Sequence, residues 1–515
     1  MLPVFIVDNE IYRYLPTVLV GTIDKLAGVG NQSKFSMIFG KVHGVCKEHG
    51  YYKVRCCQKD CKDKKRLVRT VPVGLSGPTL IIQDELHLLK EGLGTFDAHY
   101  ETFMQEVLHE YGENRPVKVI ASSATIEAFE RQVNHLYGRD STKAIVFPSL
   151  GPTNGNSFYA ETLNCPQRLY VGLMPHNKTI FNAILELIES YHREISSLAN
   201  LKDPEINPYG GSVLPGSVEW NNGLDFYRTV LIYFLAKREL SSVHTDLEGD
   251  VIPRLAQDDL PSFKISELTG DTSTDMVSKV LERLEKNVPV GGISDVVLAS
   301  SMISHGVDID RFNAMFFYGM PRLNAEYIQA SSRVGRSHVG IVFSCFHPVR
   351  ERDQSHYSYF CKFHEFIGQL VEPVAINRWS QFSINRTLPG LFMGVLLQII
   401  ANRLGDNISP GTLMKLSSLK QKINDGSITV DEIVSFLHKA YKVNELGSQG
   451  EVVFHDEIIQ RIQQFFDWIR TPNSTQDWVS DILIPKPMRS LRDVDDPIPI
   501  ELDPIGTDWS QKSER

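Results

Sequence analysis

Two adjacent carboxylates followed by a histidine form the clearest candidate for a chemical site in this sequence. Asp84 and Glu85 come directly after the run 80–83, which is apolar except for Gln83, and His87 lies two residues further on. The run predicts a buried parallel strand, and open α/β sheets bind ligands at the carboxyl ends of such strands. One carboxylate there can hold the Mg²⁺ of a nucleotide while the other orients an attacking water. A solvated helix start with Asp84 as its cap is the alternative.

Two arginines in the segment 329–336 form a second candidate. Arg333 and Arg336 are three residues apart, so their guanidiniums would be neighbours on a helix. Paired guanidiniums can bind the β- and γ-phosphates of a nucleotide. Between the two candidates, the segments 122–125 and 300–309 each follow another predicted strand. Four motifs in this order predict a nucleotide site in which acids from one lobe face guanidiniums from another.

The motifs resemble those of superfamily-2 helicases over roughly residues 15–345. The resemblance implies an α/β fold with two RecA-like parallel-sheet lobes, the first incomplete, and a helical C-terminal region. It also implies that ATP with Mg²⁺ drives movement along one DNA strand. In the segment 329–336, which matches the family's motif VI, Ser332 stands where the family usually has glycine. The matching segments are 21–26 for motif Ib, 84–87 for motif II of DExH type, 123–125 for motif III, 231–234 for motif IV, 306–308 for motif V and 329–336 for motif VI.

The same resemblance assigns a role to each candidate residue. Asp84 would hold Mg²⁺ and Glu85 would polarise water. The full set of expected catalytic residues is Asp84, Glu85, His87, Gln329, Arg333 and Arg336. The expected nucleotide contacts are Asp84, Gly306, Asp308, Arg333 and Arg336. The expected contacts to the nucleic-acid backbone are Thr22, Lys25, Thr269, Gly270 and Ser301.

The sequence has no recognisable phosphate-binding loop. Such a loop needs a Gly-Lys-Ser/Thr triplet, and none occurs in the 515 residues. The nearest imitation, 28–35, has Ser33 where glycine is needed and Phe35 where the metal-binding hydroxyl belongs, which favours a simple loop. In helicases the phosphate loop lies upstream of motif Ib. We therefore expect a split, truncated or degenerate motor that does not hydrolyse ATP alone.

A narrower likeness involves the runs 82–97 and 327–336. Both are similar to the helicase subunit of DISARM-type anti-phage systems, which also has a cysteine-rich insert just before the first run. The likeness implies a role in antiviral defence on DNA that is single-stranded or has unpaired ends. It also implies a partner protein subunit, and a longer family protein whose N-terminal part carries the phosphate loop.

The cysteine-rich insert 41–70 predicts a structural zinc site. Soft ligands with tetrahedral spacing are Cys46, His49, Cys57 and Cys61. Cys56 competes with Cys57, because adjacent residues are unlikely to bind one ion together, and His43 competes with His49. A short polar insert needs such a staple to fold. A reduced surface thiol cluster without metal is the alternative.

Composition sets the outer limits of the prediction. A hydrophobic fraction of 42% and a charged fraction of 22% are ordinary for a soluble globular protein. The net charge of −9 excludes wholesale coating of nucleic acid and leaves room for a local patch. The apolar stretch 388–404 contains Pro389, Gln398 and Asn402, which favours a buried helix over a membrane span. With no signal-type start, a cytoplasmic protein is expected.

The pattern of apolar runs predicts five regions. Residues 1–150 form a partial first lobe, with strands at 17–20, 79–82 and 117–121. Residues 151–225 form a connector, and 226–350 form a second lobe with strands at 230–234, 295–299, 314–318 and 340–343. Residues 351–475 form a helical region and 476–515 an extended tail. Two other functions stay open: a non-catalytic DNA-binding or scaffold subunit on a helicase fold, and a metal nuclease built on Asp84, Glu85 and His87.

Overall fold

A computed structural model describes residues 4–42, 44–46, 48–53, 76–112, 116–123, 129–147, 164–201, 207, 211–270, 272–285, 294–300, 309–404, 410–443, 448–471 and 476–492. The chain divides into two compact units. Unit 1 comprises Met1–Phe147 and Pro373–Arg515, and unit 2 comprises Pro148–Glu372. The first part of the sequence and its C-terminal helical region therefore belong to one body.

Ten strands occur in the described ranges, and they form three sheets. Unit 1 has an antiparallel hairpin and a two-stranded parallel sheet, whereas unit 2 has one six-stranded parallel sheet. The strands are β1 (Gly44–Cys46), β2 (Gly50–Tyr52), β3 (Leu80–Gln83), β4 (Lys118–Ala121), β5 (Arg168–Leu173), β6 (Thr229–Phe234), β7 (Phe263–Leu268), β8 (Ser294–Ala299), β9 (Ala314–Tyr318) and β10 (Gly340–Cys345).

Helices connect and cover these strands. From the start of the chain to the end of unit 2 they are α1 (Asp8–Tyr14), α2 (Gly28–Asn31), α3 (Glu91–Glu110), α4 (Phe129–Tyr137), α5 (Ile180–Asn200), α6 (Val218–Asp225), α7 (Lys237–Asp246), α8 (Ile252–Gln257), α9 (Thr274–Glu285), α10 (Asn324–Ser331), α11 (Glu351–Ser358) and α12 (Phe360–Glu365). Those of the C-terminal region are α13 (Gln381–Gly394), α14 (Ala401–Arg403), α15 (Leu416–Asn424), α16 (Val430–Ala440), α17 (Ser448–Arg470) and α18 (Val479–Ile482).

The sheet of unit 2 has the strand order β5-β10-β9-β6-β8-β7, with all neighbours parallel. Its central strand β6 is buried at every position. Ile232 packs in one apolar cluster and Leu231 in another, because successive side chains point to opposite faces. Both faces are therefore covered, as an α/β lobe requires. The predicted α/β class, with a parallel sheet in this lobe, is confirmed here.

The core of unit 1 is mainly helical. Helix α3 packs against α13 and α16, and one apolar cluster joins residues of α2, α3, α13 and α15–α17. The run Gln381–Arg403 is long and apolar enough to cross a membrane, but 83% of its apolar window is buried inside the protein. It is a core helix, as predicted for 388–404. Gly30 shows how tight the packing is, because an added Cβ would lie 2.2 Å from the carbonyl oxygen of Gly390.

Several elements differ from the prediction. The expected strand at 17–20 is absent from the described structure, and Val20 is 93% exposed. The predicted connector 151–225 contains β5, which lies at one edge of the unit 2 sheet. The expected tail is packed at its start, since Leu483 and Leu491 are fully buried in unit 1. Its remainder, from 493 onward, lies outside the described residues.

Candidate functional site

The acidic candidate lies at the carboxyl end of the parallel pair β3–β4 in unit 1. Asp84 and Glu85 follow β3, whereas Ser122 and Ser123 follow β4. The register pairs Gln83 with Ala121, so the two strands end at the same level. The backbone N–H of Ser122 donates to the carbonyl of Gln83 at 2.9 Å, and the N–H of Leu86 donates to the carbonyl of Ser122 at 2.8 Å. These bonds fix both motifs to one edge.

Asp84 is an exposed carboxylate held by two donors. The Ser122 hydroxyl and the backbone N–H of Glu85, the latter at 2.9 Å, both donate to its Oδ1. These hydrogen bonds, the one from Ser122 above all, hold the pKa of Asp84 below its usual value. The group is therefore charged at neutral pH and exposed to solvent, as a ligand for hydrated Mg²⁺ must be.

Glu85 and His87 form a pair beside this carboxylate. Glu85 has a left-handed backbone (φ 52°, ψ 49°), and its Oε2 lies 3.3 Å from Nδ1 of His87. The same nitrogen lies 3.3 Å from the hydroxyl of Ser123. His87 is buried and lies in a single 3₁₀ turn. The side-chain amide of Gln132 in α4 donates a hydrogen bond to the Leu86 carbonyl and so holds this turn. The histidine thus lies between the two motifs and contacts a side chain of each.

The arginine candidate lies in unit 2, and its local structure differs from the prediction. Helix α10 ends at Ser331, so Arg333 and Arg336 do not share a helix. Gly335 has φ +79°, and a Cβ there would lie 2.6 Å from a backbone carbonyl, so the chain turns where only glycine fits. Gln329 is buried in α10, and its Nε2 has no hydrogen-bond partner among the described residues.

Arg168 was not singled out from the sequence, yet it fixes the turn that carries the two arginines. Its Nε donates to the carbonyl of Val334 at 2.7 Å, and its Nη2 donates to that of Ser332 at 3.3 Å. Two carbonyls flanking Arg333 are thus held by a side chain of the edge strand β5. The only sequence signal was the alternating pattern of 168–173, which lay within the predicted connector.

The predicted nucleic-acid contacts fall into two groups. Thr22 and Lys25 are exposed at the 3₁₀ helix Ile23–Ala27, where Lys25 pairs with Asp8 at 3.1 Å. Thr269 follows β7, but it is buried and its hydroxyl lies 3.3 Å from that of Thr272. Gly270 beside it is exposed, with open space around its Cα. Thr269 therefore shapes this turn rather than presenting its side chain.

Several predicted residues lie outside the described ranges. They are Ser301, Gly306 and Asp308 of the nucleotide and nucleic-acid sets, Ala124 and Thr125 of motif III, and Cys56, Cys57, Cys61 and His43 of the zinc set. The weak imitation of a phosphate loop at 28–35 is described, and it is no open loop. Gly30 lies in α2 and is packed against Gly390.

Half of the predicted zinc set is described. Cys46 ends β1, His49 lies in the turn to β2, and Sγ of Cys46 is 3.4 Å from Nδ1 of His49. That separation is compatible with two ligands of one tetrahedral ion, whose bonds are about 2.0–2.3 Å long. Within the described ranges no three His, Cys, Asp or Glu side chains form a metal-binding group.

Comparison with known proteins gives one family match and one close relative. Residues 226–338 match the helicase conserved C-terminal domain. The DISARM protein DrmA of Bacillus paralicheniformis is 34% identical over 447 residues, which are 84% of this chain and 38% of that protein. The chain thus spans well under half the length of this relative.

Solved structures resemble the chain more weakly. The DUF1998 helicase MrfA bound to DNA and AMPPNP is 14% identical, with a TM-score of 0.44 over 73% of this chain and 40% of that one. The Mycobacterium smegmatis helicase Lhr bound to ssDNA and AMP-PNP is 11% identical, with a TM-score of 0.41 over 75% of this chain and 38% of that one. The domain match and the similarity to DrmA support a superfamily-2 helicase-related protein.

Proposed function

We propose that the chain is part of an ATP-dependent superfamily-2 DNA translocase in anti-phage defence, and that it takes its phosphate-binding loop from another polypeptide segment. The observation that carries the proposal is the Asp84, Glu85 and His87 constellation at the ends of β3 and β4. Asp84 is ionised and exposed, as a Mg²⁺ ligand should be, and Glu85 is tied to His87. The absence of a Gly-Lys-Ser/Thr triplet supports the need for an outside loop.

In this proposal the residues divide the chemistry of phosphoryl transfer. Asp84 holds Mg²⁺, and Glu85 orients the attacking water. Arg333 and Arg336 neutralise charge on the transferring phosphate, with Arg168 keeping their turn in place. The buried amide of Gln329 positions the nucleotide.

DNA is the proposed track. Lys25 is exposed, and its pair with Asp8 is a surface ion pair, worth less than about 1 kcal/mol. A DNA phosphate can therefore replace Asp8 as its partner, while the exposed Thr22 hydroxyl lies beside it. The structures of the helicases MrfA and Lhr contain bound DNA. A partner subunit and a cytoplasmic location belong to the same proposal.

The test is ATP hydrolysis with and without a polypeptide that supplies the loop. We expect no DNA-stimulated turnover by the chain alone. Together with a polypeptide of the source genome that carries Gly-x-x-x-x-Gly-Lys-Ser/Thr, turnover should appear and fall at least about 100-fold in Glu85→Gln. Glu130→Gln, at an exposed position of α4, is the matched control and should keep full turnover. Robust turnover by the chain alone would contradict the proposal.

A non-catalytic DNA-binding or scaffold subunit is the second candidate, favoured by the missing triplet alone. It predicts DNA binding that Lys25→Glu weakens, and no turnover with any loop-bearing polypeptide. Cleavage of DNA with Mn²⁺ or Mg²⁺ and no nucleotide would instead indicate the metal nuclease.

We further propose structural Zn²⁺ bound by Cys46, His49, Cys57 and Cys61. Plasma mass spectrometry of the purified protein should find about one zinc per chain, and Cys46→Ser should lose it. Cys165→Ser changes an exposed thiol of unit 2 and should leave the zinc content unchanged. Equal zinc content in both variants would contradict this site.

A further inference from the structure

A surface cavity of about 280 Å³ lies between α16 and α17 in unit 1. Asp431, Ser435 and His438 of α16 line it, and they share one face of the helix because they are three or four positions apart. His455 of α17 lines the other side. The ring centroids of His438 and His455 are 4.4 Å apart, with 35° between the ring planes. Two imidazoles from different helices therefore meet in this cavity.

His438 has a buried ring nitrogen without a hydrogen-bond partner. The residue is 5% exposed, and no donor or acceptor in the part of the chain that the structure describes bonds to its Nε2. Burial, and after it the neighbouring ring of His455, lowers the pKa of His438, so the ring is neutral at neutral pH. A buried polar atom that stays unpaired is costly. This nitrogen therefore points to a ligand at the cavity.

The other ring nitrogen of His438 is already held. The ring forms a hydrogen bond with the backbone of His455, and this bond opposes the fall in the pKa of His438. Because Nε2 has no partner in the described residues, the bond belongs to Nδ1. A neutral histidine that donates one N–H to a backbone carbonyl keeps a lone pair on its other nitrogen. Histidines that bind metal ions usually have this arrangement.

The charges around the cavity favour a cation. His438 lies in the last turn of α16, where the helix dipole is negative. Asp431 adds a carboxylate to the lining. Lys439 also lines the cavity, but its Nζ lies 3.5 Å from a carboxylate oxygen of Glu110 in α3. That ion pair offsets the one lysine charge among the lining residues.

We propose that His438 and His455 together bind one divalent ion of the late first-row transition series, such as Zn²⁺ or Ni²⁺, for which imidazole is a preferred ligand. Metal–nitrogen bonds of about 2.0–2.1 Å place two imidazole centroids roughly 4.5–5 Å apart, close to the observed 4.4 Å. Within the described ranges no third His, Cys, Asp or Glu completes a metal-binding group, so water or a side chain of another molecule fills the other positions. The ion cross-links α16 and α17.

The experiment is a calorimetric titration with Ni²⁺ of the full chain, purified without a polyhistidine tag. His455→Asn removes an exposed ligand and leaves the buried ring in place, so the fold should be kept and the affinity for Ni²⁺ should fall at least about tenfold. His176→Asn changes an exposed histidine of unit 2 and should bind Ni²⁺ like the unchanged chain. Cys46→Ser should also bind Ni²⁺ normally, which separates this site from the zinc site proposed above. Ni²⁺ should slow hydrogen exchange in α16 and α17.

The same measurements can overturn the proposal. Equal Ni²⁺ affinity in the unchanged chain and in His455→Asn would do so, and so would a loss of affinity that His176→Asn shares. Hydrogen exchange in α16 and α17 that Ni²⁺ leaves unchanged would also contradict the site. Mg²⁺ bound there as tightly as Ni²⁺ would exclude imidazole ligands, because Mg²⁺ prefers oxygen. None of these results depends on ATP turnover, so the proposed function is tested separately.

Discussion

Each unit has a parallel sheet, yet the two parallel sheets bury their strands differently. In unit 2, β6 is buried at all six positions and lies among six strands. In unit 1, β3 alternates exposed and half-buried positions and pairs with β4 alone in the described residues. Unit 1 compensates with helices, because its largest apolar cluster joins α3 to the C-terminal helices. The sheet in unit 2 is the core, whereas in unit 1 it presents the site.

The largest difference should come from placing the same charge on one strand of each sheet. Ile232→Asp puts a carboxylate into a fully buried strand, and the free energy of unfolding should fall by about 4 kcal/mol or more. Ile82→Asp places it on the exposed face and should cost less than about 0.5 kcal/mol. Urea denaturation followed by circular dichroism measures both. Equal losses would contradict the contrast between the sheets.

The helical compensation in unit 1 can be tested at a buried ion pair. Nζ of Lys442 lies 2.6 Å from Glu106 of α3, and both side chains are about nine-tenths buried. Lys442→Met leaves the Glu106 carboxylate buried without its cation, so the free energy of unfolding should fall by about 3 kcal/mol. Lys25→Met removes an exposed pair and should change stability by less than about 0.5 kcal/mol. Thermal unfolding compares them, and a harmless Lys442→Met would argue against the helical core.

Two buried aspartates, one in each unit, should change the stability in opposite directions when each is replaced by asparagine. Burial, and after it the nearby carboxylate of Glu101, raises the pKa of Asp97 in α3 well above its usual value. A raised folded-state pKa stabilises below the unfolded value near 4, and that stability is lost as pH rises through the folded value. Asp97→Asn should therefore raise stability at neutral pH by about 1 kcal/mol.

Asp295 of β8 provides the matched case in unit 2. Burial raises the pKa of Asp295 too, but its Oδ1 accepts from Arg283 at 2.9 Å. Asp295→Asn therefore removes the partner of the guanidinium and should lower stability by about 1 kcal/mol. Urea denaturation at pH 5 and pH 8 measures both variants. The same sign for both at pH 8 would contradict the distinction.

The smallest expected change in stability is at the acidic site that follows β3 and β4. Ser122→Ala removes the main donor to Asp84, so the pKa of Asp84 should rise toward its ordinary value. Because the group is exposed, the stability of unit 1 should change little. Carboxyl ¹³C NMR titration measures the pKa, with Ser141→Ala in the 3₁₀ turn Ser141–Lys143 as control. An unchanged titration would show that the hydroxyl does not bind the carboxylate.

The sequence predicted the interior strands of the unit 2 sheet and missed its edge strands. The strands β6, β8, β9 and β10 were predicted because interior strands carry continuous apolar runs. Strands β5 and β7 were missed because they are the two edges of that sheet and contain polar residues such as Arg168 and Lys264. The run 17–20 has strand-forming residues but no partner strand in the described structure.

The candidate site was predictable only where its residues directly follow strands that are neighbours in a parallel sheet. Asp84 and Ser122 meet because β3 and β4 are parallel neighbours, which their apolar runs implied. The hold of Arg168 on the Ser332 and Val334 carbonyls depends on β5 pairing with β10, more than 160 residues away. The turn at Gly335 depends on tertiary crowding that a helix-like spacing of arginines does not reveal.

The left-handed backbone of Glu85 has a consequence for directed evolution. A residue with a Cβ costs about 1 kcal/mol in that conformation, whereas glycine adopts it freely and asparagine more readily than glutamate. A library selected only for heat resistance should therefore drift toward Gly or Asn at this position and discard the acid. Keeping Glu85 would require a selection that rewards turnover, because heat resistance and catalysis favour different residues here.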